Sequence, residues 1–166
     1  MSYRNKTYVI FDGDNDMWAY AYMKGWKSNE NVSFNFFDAH DLNVITDRAS
    51  EESVKTKLRE RMLNAKQVLL LVGKHTKNLH RFVRWEIELA LDRGLPIIAV
   101  NLNKKRAFDP DLCPPLLHGK QVAHVSFEAK IIQFAMDNFP DEYARLKPND
   151  GGDRQYNASH YEKLGL

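Results

Sequence analysis

The chain has 166 residues, 43% hydrophobic and 28% charged, which excludes a low-complexity or wholly disordered protein and suits one domain with a proper core. A net charge of +2 makes no electrostatic case for nucleic acid or a membrane surface as partner. The single cysteine, Cys113, excludes an internal disulfide and any cysteine-rich zinc site, and fits a reducing compartment.

Met1 to Thr7 is polar and lacks a signal-peptide core, and no apolar run approaches the ~18 residues of a membrane span, so a cytoplasmic protein is expected. Tyr8 to Phe11 is a short apolar run that reads as a buried strand. It ends in the acidic turn Asp12-Gly13-Asp14-Asn15-Asp16. Met17 to Trp26 has helical spacing, and Val32 to Phe37 alternates like a second strand. Asp38 to Ala49 reads as a long polar loop. Ser50 is placed to cap a helix whose stripe is Val54, Leu58 and Met62. Gln67 to Val72 is a third strand, followed by a loop from Gly73. Phe82 to Arg93 is a helix stopped by Gly94 and Pro96. Pro96 to Leu102 and Val122 to Val125 are the last two strands, and Phe127 to Phe139 the last helix. Beyond Pro140 the pattern fades, so residues 1–140 are expected as the domain and 141–166 as a partly flexible extension.

Strands alternating with helices predict an α/β fold of three layers, a five-stranded, mostly parallel sheet with helices on both faces. Such sheets bind ligands beyond the C-terminal strand ends, here the loops at 12–16, 38–49, 73–80 and 103–120. Glu86 is the leading candidate. Its helical neighbours Phe82, Val83, Leu89 and Ala90 are all apolar, so no cation on its own helix face can pair with it. Glu88, in contrast, has Arg84 one turn before it. A carboxyl on an apolar helix edge loses water, and desolvated carboxyls gather at functional sites. Left open is a structural Glu86 that caps the helix or meets a base from another element.

The acidic turn lacks the Gly and Glu of a calcium loop, having Met17 and Met23 at those positions. YVIFDGDN resembles the opening of haloacid dehalogenase-type phosphatases, with Asn15 departing from that pattern. A Mg²⁺-dependent phosphatase or phosphoacceptor using Asp12 and Asp14 is therefore the rival chemistry. No Gly-rich dinucleotide fingerprint or P-loop occurs. His75 and His80 are too isolated for a metal site, no metal site is expected, and Trp18 and Trp85 fit core or rim packing. Lys104-Lys105-Arg106 reads as a solvated basic run.

Together these segments resemble the TIR-like domains of bacterial anti-phage defence, close to the Thoeris TIR proteins and the flavodoxin-like TIR group. The likeness runs from about Thr7 to Phe139. Tyr8 to Asp16 looks like the opening strand and loop, Asp38 to Asp41 like the loop after the second strand, and Leu69 to Thr76 like the third strand and its loop. Arg81 to Glu88 looks like the helix bearing the family's catalytic glutamate, with Phe82 four positions before Glu86 where Trp is commoner. The resemblance implies NAD⁺ as substrate with no further cofactor, and cleavage at the nicotinamide–ribose bond to an ADP-ribose-derived, cyclic signal nucleotide. It implies Glu86 as catalytic, and Phe11, Asp12, Asn15, Asp38 and Trp85 as substrate-binding candidates. It also implies self-assembly, and a separate effector protein switched on by the product. A non-catalytic TIR-like interaction module is the second rival.

Overall fold

A computed structural model describes residues 6–38 and 50–166, with the backbone alone for Phe37 and Asp38. Six strands, Lys6–Ile10 (β1), Phe37–Asp38 (β2), Gln67–Val72 (β3), Ile97–Asn101 (β4), Ala123–Ser126 (β5) and Arg154–Gln155 (β6), form one sheet. All pairings are parallel and the order is β2-β1-β3-β4-β5-β6. The five-stranded parallel α/β arrangement expected from the sequence is present, with β6 added at the far edge. The helices are Met17–Ser28 (α1), Glu51–Met62 (α2), Arg81–Asp92 (α3), Ala129–Arg145 (α4) and Ala158–Lys163 (α5). None of the described helices is long and apolar enough to cross a membrane.

Alternation along each strand sorts the core into two layers. Val9 and Phe11, with Leu69 and Leu71, face α1 and α4. Tyr8 and Ile10, with Val68, Leu70 and Val72, face the layer of Met62, Val83, Ile87 and Ala90 from α2 and α3. Every residue of β3 is buried, which is why that run is apolar without a break. Burial of each Leu or Val there contributes about 1.5–3 kcal/mol. The Ser50 side chain accepts the Ser53 amide at 3.2 Å and caps α2, as its sequence predicts. Gly94 stops α3 with a φ of 63°.

Three boundaries differ from expectation. The second strand is not Val32 to Phe37: only Phe37–Asp38 pairs with β1, because a turn from Asn29 carries the backbone bonds of Val32 and Phe34. Phe34 and Phe36 are buried all the same, and their burial accounts for the aromatic run. The last helix does not end at Phe139 but runs through Pro140 to Arg145. Pro140 removes a single amide, and Phe139 and Tyr143, one turn apart, hold the two halves in one packed row. The expected loop 38–49 and the polar start lie outside the described residues, apart from the Asp38 backbone and the first residues of β1.

Residues 141–166 complete α4 and then add β6 and α5. Tyr161 is fully buried, its hydroxyl accepts the Ser126 amide at 3.3 Å, and the Arg106 guanidinium lies 4.1 Å from its ring centre. Arg106 therefore meets this helix and Lys105 pairs with Asp109 at 3.3 Å, while all three residues of the run at 104–106 are exposed, as a solvated loop would be. Asp153, just before β6, lies 3.8 Å from His124, a buried ring in β5 whose nitrogens make no hydrogen bond among the described residues. Burial pushes the His124 pKa down, Asp153 pulls it up, and His118 pushes it down again. The unfolded chain therefore binds this proton more readily, and the associated stability is lost as pH falls below about 6.5. The melting temperature of His124→Leu relative to wild type should therefore rise as pH falls from 7 to 5; a difference independent of pH would remove His124 from the acid response.

Candidate functional site

Glu86 sits in the second turn of α3, on the face that also carries Val83, Ile87 and Ala90 into the core. The apolar flanks that marked it in sequence are the reason it is carried inward. It is 5% exposed, and its Oε2 accepts no hydrogen bond among the described residues. Burial pushes its pKa up to about 8, while the Tyr8 hydroxyl from β1 and the charge of Arg61 from α2 pull the other way. Near neutral pH the carboxyl therefore rests largely protonated, a state suited to an apolar seat. Both opposing groups come from other elements of the fold. Glu88, two residues on, turns outward and its Oε1 accepts Arg84 Nε at 3.0 Å, as its spacing predicts.

The remaining candidates do not converge on Glu86. Phe11 is on the opposite face of the sheet, stacked on Tyr20 with ring centres 4.8 Å apart. One residue of strand alternation separates it from the layer that holds Glu86. Asp12 is buried and turned into its own loop: Oδ1 accepts the Asp14 amide at 3.0 Å and Oδ2 the Asn15 side-chain amide at 2.7 Å. Both oxygens and the Asn15 amide are thus engaged in shaping that turn. Asp38 ends β2, paired through its backbone with Thr7 on the edge next to β1. Trp85 is half-buried beside α2, with Lys55 Nζ 4.9 Å and Arg81 Cζ 5.4 Å from its ring centre. It lines an open groove between α2 and α3 with Lys55, Leu58, Arg59, Glu88, Leu89 and Asp92. Trp18 is half-exposed, edge-on to Phe127. His75 and His80 are exposed, and among the described residues no group of three or more His, Cys, Asp or Glu is arranged to hold a metal ion.

Two features escaped the sequence. Tyr8 looks like any strand aromatic, yet it is fully buried on the side of the sheet that α3 covers and bears on the ionisation of Glu86. Asp16, the third acid of the turn, folds under the loop after β3. Its carboxylate lies over Gly73, where a side chain would otherwise stand, and receives a long 3.4 Å contact from the Thr76 hydroxyl. The Gly73 amide donates to Thr76 Oγ1 at 2.9 Å. This latch joins the C-terminal ends of β1 and β3, the point at which the strand order reverses. Burial and then the charge of Asp12 raise the Asp16 pKa, against the Thr76 bond and His75.

Residues 8–107 match the family described as Thoeris protein ThsB, TIR-like domain. The matched span opens on Tyr8 in β1, contains α2, β3 and α3 with Glu86, and ends in the loop after β4. It covers well over half of the chain, and the chain belongs to this family of defence-related TIR-like domains.

Proposed function

We propose that the chain cleaves the nicotinamide–ribose bond of NAD⁺, with Glu86 as the catalytic carboxyl, and makes an ADP-ribose-derived, cyclic nucleotide. The observation that carries this reading is a buried carboxyl with an unmatched oxygen, set in the helix the family match includes. When the glycosidic bond breaks, nicotinamide leaves with the bonding electron pair as a neutral base. The positive charge passes to an oxocarbenium-like ribose. A carboxylate with few competing partners, in surroundings poor in water, stabilises that charge far more than it would in bulk solvent. A cation set beside Glu86 also draws its proton away, since an opposite charge favours the ionised form. Exclusion of water favours attack by a nucleophile within the substrate, hence a cyclic product over free ADP-ribose. The product would act on a separate effector protein, and copies of the chain would assemble to form the working site.

Mass spectrometry of NAD⁺ incubated with the chain, in lysate from phage-infected cells, tests this. Loss of NAD⁺ with formation of nicotinamide is expected, removed by Glu86→Gln and retained within about twofold in Glu88→Gln, whose exposed ion pair is worth under about 1 kcal/mol. Equal losses from both variants would sink the assignment. A second reading, an interaction module in which Glu86 is structural, draws on its near-complete burial. Unchanged NAD⁺ in every lysate, with undiminished anti-phage protection by Glu86→Gln, would select it.

A further inference from the structure

Helices that cover a sheet usually turn charge to solvent, and two here do so: α2 exposes Glu52, Lys57 and Arg59, and α3 exposes Arg81, Arg84 and Asp92. The first helix differs. α1 buries Ala19, Tyr20 and Met23 in the core, yet its outer face is apolar as well, with Met17, Trp18, Ala21, Tyr22 and Gly25 all exposed. Of the four large hydrophobic side chains exposed among the described residues, three stand on this helix: Met17 at 47%, Trp18 at 49% and Tyr22 at 60%. A helix that is apolar all round is ordinarily covered on every side, and a contiguous exposed apolar patch marks a contact surface.

Residues 18, 21, 22 and 25 follow the i, i+3, i+4, i+7 spacing of a helix-packing stripe. Its large members are braced. Trp18 meets Phe127 edge-on with ring centres 5.7 Å apart and Tyr22 at 6.0 Å, and Tyr22 meets Trp26 at 6.5 Å, so the row has little freedom left to lose on contact. Its small members leave a hollow: Ala21 carries one methyl group, and Gly25 opens on space, with no other element of the described fold within 4 Å of where its Cβ would stand. Laid antiparallel on a copy of itself, the stripe sets Trp18 against Gly25 and Tyr22 against Ala21, large against small in both directions. The same arrangement brings the last turn to the copy's acidic turn, so that Lys27, exposed with its ammonium 5.1 Å from the Phe36 ring centre, meets exposed Asp14. It also opposes the two helix dipoles. We propose that the outer face of α1 is the contact surface between two copies of this chain, paired antiparallel about a two-fold axis.

One helix face offers less than the about 800 Å² per partner of a standard interface, so the dimer is a weak one, with a dissociation constant on the order of 0.1 mM. Sedimentation velocity of the purified chain from about 10 µM to about 500 µM should show monomer passing to dimer. Tyr22→Glu and Gly25→Gln should each weaken the dimer about tenfold or more. Gly25→Gln enters open space and suits a helix better than glycine does, so its melting temperature should not fall. Lys27→Glu should weaken the dimer too, and Asp14→Lys added to the same chain should restore it, because each new charge meets the other on the opposite copy. A chain that stays monomeric at every concentration overturns the proposal, as does a dimer indifferent to both Tyr22→Glu and Gly25→Gln, or a double variant no tighter than Lys27→Glu alone. A monomer that loses anti-phage protection in Tyr22→Glu would give the face to a different protein and overturn it as well. The inference goes beyond NAD⁺ cleavage: a dimer with these sensitivities in a chain that never consumes NAD⁺ would uphold it.

Discussion

Glu86→Gln should abolish NAD⁺ turnover and, at pH 8, raise the melting temperature. The two effects have one cause. The carboxyl pKa is raised from its ordinary range to about 8 in the folded chain, chiefly by burial. The folded state therefore binds this proton more tightly than the unfolded state between about pH 4.5 and 8. Stability from that difference is fully present below the unfolded value and is lost as pH rises through the folded value. At about 1.4 kcal/mol per unit, the wild-type chain gives up roughly 4 kcal/mol over that window. Glutamine does not titrate, so the variant avoids the loss, although it still buries a polar amide at some expense. A net gain of about 5 °C at pH 8 follows from the scale of 2–4 °C per kcal/mol for a chain of this size. The gap should narrow steadily towards pH 5, close to the unfolded value below which the wild-type carboxyl is protonated in both states. Melting curves of both proteins from pH 5 to 8 test the stability half, and nicotinamide release the other. A variant that loses activity and also melts lower across the whole range would make Glu86 a structural residue whose removal unfolds the site. Stability sacrificed at a group needed for chemistry is the pattern expected of an active centre.

The inward turn of Glu86 was legible because helix geometry is local. Four apolar neighbours at three and four residues' distance decide which way it faces, and all four are in one stretch of sequence. The central strands were legible for the same reason: QVLLLV has no polar face to place in solvent, and β3 is buried throughout. Arg84 and Glu88 pair as their spacing predicts. Tyr8 and Arg61 were hidden because their relation to Glu86 crosses three elements and 78 and 25 residues of chain. The side on which Phe11 lies was not legible: a strand aromatic beside a candidate loop can face either layer, and Phe11 packs in that of α1 and α4, across the sheet from Glu86. The C-terminal segment misled for another reason. Its polar composition points to a partly flexible extension, whereas a single buried residue, Tyr161, anchors α5 through Ser126 and Arg106. Composition averages over such a residue. The second strand failed in the opposite sense, as β-rich composition without a partner: Phe34 and Phe36 pack into the core from a backbone outside the ladder.

Gly73→Ala is expected to destabilise the chain by about 1–3 kcal/mol, and Asp16→Ala to abolish that penalty. No left-handed backbone is required of Gly73, so alanine meets no conformational objection there. Its methyl group would instead stand 2.7 Å from the Asp16 carboxyl carbon, well inside contact distance. Asp16 cannot simply swing away, since it is buried beneath the loop and Thr76 ties it to the same turn. With Asp16 shortened to alanine the space is open, and the usual effect of replacing glycine reappears. Alanine restricts the unfolded chain and stabilises by about 0.4–1 kcal/mol. The sign of the Gly73 substitution should therefore reverse between the two backgrounds, a coupling of more than 1 kcal/mol in a double-mutant cycle followed by urea unfolding. Equal penalties in both backgrounds would place the strain elsewhere and dissolve the latch. Because the latch joins the ends of β1 and β3, relaxing it should also shift the β1 loop carrying Asp12 and Asn15. Glu86, in the α2–α3 layer, should keep its titration in Gly73→Ala if loop and carboxyl are separable parts of the domain.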